Sequence, residues 1–311
     1  MKPLARESRI LVAGAKGMVG SAIVRALEKA GHTAILAPAR AELDLMDPRA
    51  VEAYFARERP EFVFVAAAKV GGIQANDRFP ADFIYDNLVI ETNLIHAAYR
   101  HAVEKLLFLG STCIYPKLAP QPLKEDYLLT GPLEPTNEWY AIAKIAGIKL
   151  CQAFHKQHGC RFISAMPTNL YGENDNFDLE SSHVMPALIR KFHEAKTNRA
   201  EEVVVWGSGR PLREFLHVDD CAEACLFLMR EYEDPEICNI GVGEDLSILE
   251  LAELIKKIVG FEGRLVFDSA KPDGTPRKLV DTTKINALGW KARIPLEAGI
   301  RETYGWYCRQ G

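Results

Sequence analysis

The chain has 311 residues, 48% hydrophobic and 26% charged, which excludes disordered and fibrous classes and allows one large α/β domain or two modest ones. Its net charge is −4 with acids and bases interspersed, so it has no broad basic field of the kind that holds nucleic acid or an anionic membrane. No apolar run reaches the ~20 residues that cross a bilayer, and MKPLARESRILVAG enters a strand without a signal-peptide core, so a cytoplasmic location is expected.

In chain order, RILVAG reads as a strand, Met18 to Gly31 as a helix, TAILAP as a strand and Pro48 to Glu58 as a helix. FVFVAAA, a long helix from about Ala81 to His101, and KLLFLGS follow. Continuous apolar runs alternating with amphipathic helices predict a doubly wound, Rossmann-type parallel sheet covered on both faces. A second long helix is expected from about Asn137 to His158, then a strand at RFISAM. The two long helices are candidates for a homodimer interface.

Beyond Tyr171 the alternation weakens into polar loops, a helix near 184–196 and a strand at EVVVWG. Ser247 with Glu250 forms a capping-box pattern, and Gly260 is a stop signal, so a helix is expected over about 247–259. A strand at RLVFD, a Pro/Gly loop at KPDGTPRK and short helices complete the chain. The expected division is a dinucleotide-binding domain over 1–172, to which a segment near 214–242 returns, and a smaller α/β substrate-binding domain mainly over 173–311. The seven cysteines (113, 151, 160, 221, 225, 238, 308) are scattered without a C-x-x-C, which suits free thiols in a reducing compartment, and no metal site is expected.

Directly after the first strand stands Gly14-Ala15-Lys16-Gly17-Met18-Val19-Gly20, opening a helix. Glycines there permit a sharp turn and a close backbone approach to a pyrophosphate, which the helix N-terminus receives with free N–H groups. The second strand ends ILAPAR without the acid that would accept the ribose 2′-hydroxyl of NAD. Arg40 with Lys16 suits a 2′-phosphate, so NADPH is the expected cofactor; the alternative for Arg40 is a solvated surface cation.

Tyr140 and Lys144 stand four apart on a predicted helix and share a face. An ammonium beside a phenol favours phenolate, so Lys144 is expected to lower the Tyr140 pKa and make it a usable acid for carbonyl reduction. Ser111 ends the buried run LLFLGS, where a doubly wound sheet presents residues to its ligand. The glycine turn, Ser111, Tyr140 and Lys144 together resemble the extended short-chain dehydrogenase/reductase family.

Within that superfamily the chain resembles the GDP-L-fucose synthases, the GDP-4-keto-6-deoxy-D-mannose epimerase/reductases. The resemblance runs from about Arg9 to the C-terminus through AAAKVGGI, STCIYPK, PTNEWYAIAKIAG, NLYGENDNF, SHVMPALIRKFH, VVVWGSGRPLREFLHVDD and KPDGTPRK. It implies epimerisation at two carbons flanking a ketone, then NADPH-dependent reduction of that ketone. It implies Cys113 as base and His183 as acid, with Ser111 and Tyr140 on the enolate oxygen and Lys144 on the nicotinamide ribose. Asp44 would lie near the adenine unless a nearby aspartate caps a helix instead. Asn169, Lys191, Trp206, Arg213 and Lys278 would contact the GDP-sugar; His217 reads as structural. Lys16 and Lys191 replace arginines of relatives, keeping the charge without the planar fork. The alternatives are a nucleotide-sugar 4-epimerase or dehydratase with tightly held NAD, disfavoured by Thr112 and Cys113 where an acidic pair would stand, and a non-catalytic NADPH-binding protein.

Overall fold

A computed structural model describes residues 3–271 and 273–310. The first half contains β1 (Ile10–Ala13), α1 (Met18–Lys29), β2 (Ile35–Leu36), α2 (Pro48–Glu58), β3 (Phe62–Val65), α3 (Ile73–Arg78), α4 (Pro80–Arg100), β4 (Lys105–Leu109), α5 (Glu138–His158) and β5 (Phe162–Pro167). The second half continues with β6 (Asn169–Tyr171), α6 (Val184–Thr197), β7 (Glu202–Trp206), β8 (Leu212–Arg213), β9 (Phe215–His217), α7 (Val218–Glu231) and β10 (Cys238–Ile240). It ends with β11 (Leu246–Ser247), α8 (Ile248–Val259), β12 (Arg264–Asp268), β13 (Arg277–Lys278), α9 (Thr283–Leu288) and α10 (Leu296–Gln310).

The apolar runs pair in parallel in a six-stranded sheet ordered β10-β5-β4-β3-β1-β2. Every residue of β1, β3, β4 and β5 is buried, which is why these strands read as continuous rather than alternating runs. On one face α1 and α7 cover the sheet with Ile23, Leu27, Cys221 and Leu228. On the other, α2, α4 and α5 cover it with Phe55, Leu94, Ile148 and Cys151. A third core, built on Phe192, Val205, Leu251 and Ile255, joins α6 and α8 to β7.

The expected long helices, the capping box at Ser247 and the left-handed Gly260 at φ +74° are all present. The structure adds α3 and six strands of two or three residues, β6, β8, β9, β10, β11 and β13, and makes α10 a 15-residue helix. A two-residue strand has no period to read, so its existence follows from pairing partners distant in the chain. β13 lies parallel to β8 with Lys278 opposite Arg213, and this register brings two cations from distant segments side by side.

Candidate active site

The sheet presents its site at the carboxyl ends of β1, β3 and β4, the place where doubly wound sheets bind ligands. Gly14 has φ +85°, and a Cβ there would stand 2.7 Å from the Ala67 nitrogen. A Cβ on Gly20 would overlap the Gly14 carbonyl oxygen. These glycines therefore set the strand-to-helix distance. Gly17 is the N-cap of α1, contributes no side-chain cap, and no acid stands in the helix's first turn, so the free N–H groups at Met18 and Val19 form a cradle that fits a pyrophosphate. Lys16 and Arg40 are exposed at this edge. Asp44 is exposed, and its carboxylate accepts a hydrogen bond from the Met46 backbone N–H at 3.0 Å. The helix cap of this region is Asp47, which accepts from the Arg49 N–H.

Beyond β4 the chain turns through Thr112–Ile114, where the Ser111 hydroxyl accepts from the Cys113 N–H at 3.3 Å. The Cys113 sulfur in turn accepts from Lys278 Nζ at 3.4 Å and from Asn137 Nδ2 at 3.3 Å. Burial alone would raise this thiol. The Lys278 ammonium, the Ser111 hydrogen bond and the Arg213 charge outweigh burial and hold it below its ordinary value. Arg213 is held by backbone carbonyls, donating to Leu212 at 2.8 Å and to Asp273 at 3.4 Å.

Tyr140 and Lys144 project from α5 toward this turn, with the Lys144 ammonium 6.0 Å from the Tyr140 ring centre and 4.6 Å from that of Phe108. The expected lowering of the phenol is not found. Burial, and then the charges of Cys113 and Glu91, push Tyr140 upward against a hydrogen bond from Ser111. Lys144 is itself lowered by burial, with Glu91 opposing, so its charge is spent on that carboxylate rather than on the phenol. Glu91, buried on α4, is pushed up to about 7 by desolvation despite Lys144 and the Gly147 backbone N–H. Gly147 makes this approach possible, because a Cβ there would meet the Phe108 ring at 2.5 Å and the Glu91 carboxyl carbon at 3.0 Å.

His183 is the N-cap residue of α6 and is exposed, its imidazole lowered by the surrounding protein mass and then by Lys278. The loop before it rests on the segment after β3: the Gly72 N–H donates to the Ser181 carbonyl at 2.8 Å. A Cβ on Gly72 would press the Ser182 carbonyl at 2.6 Å. The same segment is tied to α4 by Asn87, which accepts from the Lys69 N–H at 2.9 Å and donates to its carbonyl at 3.0 Å.

Hydrogen bonds link Ser111, Cys113 and Lys278, Tyr140 joins through Ser111 and Lys144 through its approach to the Tyr140 ring, while Arg213 acts on Cys113 and Lys278 on His183 through charge. The other three substrate-binding candidates, Asn169, Lys191 and Trp206, lie on β6, α6 and β7. Trp206 is 42% exposed on β7 with Lys191 and Lys271 stacked against its ring at 4.6 and 5.2 Å. Lys191 also donates to the Val204 carbonyl, and Asn169 donates to the Glu214 carbonyl at 2.8 Å. His217 caps α7 by accepting from the Asp219 N–H, a structural role.

Four residues were not singled out by the sequence pattern. Glu214 is fully buried and accepts from the N–H groups of Val242, Gly243 and Val280, tying the strands that carry Arg213 and Lys278 to the end of the main sheet. Glu91 had a readable signal: a carboxylate on the apolar face of α4 between Asn87 and Ile95. Asn137 is the N-cap of α5 but makes no side-chain cap bond, a loss of about 1 kcal/mol relative to a capped helix. Lys271 lies in a loop with no period.

The model of the NAD dependent epimerase/dehydratase family matches residues 10–241. The chain belongs to this family. It is 62% identical over 304 residues to the putative GDP-L-fucose synthase 2 of Arabidopsis thaliana, covering 98% of this chain and 93% of the relative. It is 56% identical over 310 residues to the GDP-L-fucose synthase of Escherichia coli, covering 97% of each. Among solved members, the GDP-L-fucose synthetase of Naegleria fowleri bound to NADP superposes with a TM-score of 0.92 at 32% identity, covering 99% of this chain and 96% of that one.

Proposed function

We propose that the protein converts GDP-4-keto-6-deoxy-D-mannose to GDP-L-fucose, inverting C3 and C5 and then reducing C4 with NADPH. The observation that carries this reading is the Cys113 sulfur, hydrogen-bonded to Lys278 and lowered in pKa, two residues beyond the serine of the Ser111, Tyr140 and Lys144 set. A reductase alone has no use for an activated thiol there. The names of the two relatives at 62% and 56% identity support the substrate.

In each inversion the Cys113 thiolate removes the proton alpha to the ketone, and the electron pair moves to the C4 oxygen. Ser111 and Tyr140 donate hydrogen bonds to that enolate oxygen. His183 returns a proton to the opposite face, so cysteine ends protonated and histidine deprotonated, and solvent resets both. NADPH, when bound, supplies the two-electron reduction of C4. Tyr140 gives its proton to the C4 oxygen in that step, and Lys144 would hold the nicotinamide ribose. Gly14, Lys16, Gly17, Met18, Val19 and Gly20 would seat the pyrophosphate of the cofactor, Arg40 would take its 2′-phosphate, and Asp44 would serve its adenine. Lys191, Arg213 and Lys278 neutralise the GDP diphosphate, with Asn169 and Trp206 flanking the sugar nucleotide.

The reading includes a homodimer through α4 and α5, supported by Tyr85, Tyr99, Trp139 and Ile142, which are 36–63% exposed on their outer faces. It also includes a reducing, cytoplasmic setting, supported by seven free thiols. The domain division near residue 172, with 214–242 returning to the first domain, belongs to the same reading. Purified protein incubated with GDP-4-keto-6-deoxy-D-mannose consumes NADPH and yields GDP-L-fucose; a flat absorbance at the NADPH band overturns the proposal.

A further inference from the structure

We propose that Asn137 is the positioning residue of Cys113: its side-chain amide is withheld from helix capping in order to hold the sulfur as a thiolate. The inference rests on Cys113 being the base proposed above. Asparagine is among the strongest N-cap residues because its side-chain oxygen accepts an N–H of the first helical turn. Asn137 occupies the N-cap of α5, the helix that carries Tyr140 and Lys144, and makes no such bond. Its Nδ2 instead donates to Cys113 Sγ at 3.3 Å, across 24 residues of chain. Its Oδ1 is buried with no hydrogen-bond partner among the described residues.

The fold therefore tolerates two local losses, an uncapped helix end and an orphaned acceptor, at one side chain. Losses of this kind concentrate where function imposes them. The other end of α5 is closed in the ordinary way by a left-handed Gly159 at φ +69°, so the helix is not generally short of caps.

A thiol sulfur is a weak acceptor and a thiolate a strong one, so an N–H fixed on Sγ favours the charged form. The groups facing the sulfur are Lys278 on β13, Arg213 on β8, Ser111 in its own turn, and Asn137 and Tyr140 at the start of α5. Among the described residues Lys278 and Asn137 both donate to Sγ from opposite parts of the chain, beside the Ser111 hydroxyl of its own turn. Lys278 supplies charge on a flexible stem. The amide does not titrate, so its hold on the direction of the sulfur is the same at every working pH. Because Asn137 stands one helical turn before Tyr140, it also fixes the spacing between the proton-abstracting sulfur and the phenol.

The test compares wild type with Asn137→Ser, Asn137→Asp and Cys113→Ser. Serine and aspartate are good N-caps that restore the missing helix bond, so neither is expected to lower the melting temperature. Serine is too short to reach Sγ, and aspartate places an acceptor and a charge where the donor was. Two readouts are needed: the pH dependence of iodoacetamide alkylation, mapped to the Cys113 peptide, and deuterium incorporation from D2O into the carbons flanking the ketone of GDP-4-keto-6-deoxy-D-mannose. In Asn137→Ser the alkylation inflection moves to higher pH and thiolate at neutral pH falls about three- to tenfold, the range of one lost hydrogen bond. Asn137→Asp moves it further, and deuterium incorporation falls in the same order. Wild-type inflection and wild-type exchange in both folded variants overturn the positioning role. Exchange that persists in Cys113→Ser instead overturns the assignment of the base, whatever the Asn137 variants do.

Discussion

Lys278 on β13 donates to the Cys113 sulfur in the turn after β4, and the same ammonium acts on His183 at the start of α6. One cation thus biases both members of the proposed acid–base pair in the same direction. It lowers the thiol, where burial alone would raise it, and adds to the lowering of an imidazole that the surrounding protein already depresses.

Lys278→Met therefore raises both pKa values, because removing a positive charge favours the protonated form of each group. A shift of about one unit is expected for loss of a neighbouring opposite charge, cutting the thiolate fraction at neutral pH about tenfold. Alkylation of Cys113 against pH reports the thiol limb, and proton NMR of the His183 ring reports the imidazole limb. Limbs that move in opposite directions contradict the shared-cation account.

Tyr140→Phe removes the proton donor to the C4 oxygen and slows NADPH oxidation by about 100-fold or more, the usual contribution of a general acid. The phenol's pKa is raised by burial and then by Cys113 and Glu91, so the group stays protonated through the neutral range. Its loss as an acid thus sets no alkaline limb below about pH 10, the ordinary phenol value. A wild-type rate profile for NADPH oxidation that bends down near pH 8, with the bend absent in Tyr140→Phe, contradicts this.

Gly20→Ala drives a Cβ into the Gly14 carbonyl oxygen, which is backbone and has no rotamer to yield. A loss of about 1–3 kcal/mol of stability is expected from the overpacked contact. The accompanying widening of the turn weakens NADPH binding. Thermal unfolding with and without NADPH reads both, and an unchanged melting temperature refutes the close-packing argument.

Arg40→Ser removes the proposed 2′-phosphate partner and leaves the rest of the cofactor cradle in place. The KM for NADPH rises about tenfold or more, the cost of a lost hydrogen bond to a charged group, while that for NADH stays constant. Equal changes for both cofactors place Arg40 outside cofactor selection.

The parallel sheet was legible because its strands are buried on both faces and so read as unbroken apolar runs, and α8 because Ser247, Glu250 and Gly260 punctuate it. Ser111, Tyr140 and Lys144 were legible because they lie at strand ends or on one helix face, both of which are local properties. Lys278 was reached only by resemblance, since nothing in the Pro/Gly loop before β13 says that it pairs with β8. The direction of the Tyr140 shift was misread for a related reason. Spacing on a helix reports which side chains are neighbours, but not that Glu91, from another helix, claims the lysine's charge. Asn137 was hidden by its own suitability as a cap, since a residue placed where helix rules want it draws no notice.

The distance in sequence between Cys113 and Lys278 also orders events during synthesis. Ser111, Cys113, Tyr140 and Lys144 emerge from the ribosome well before β13 exists. A nascent or truncated chain ending ahead of residue 277 carries the sulfur without the ammonium that lowers its pKa. The reactive thiolate is therefore a property of the finished polypeptide, and the growing chain keeps its cysteine in a form less open to oxidation and alkylation until the last short strand is laid down.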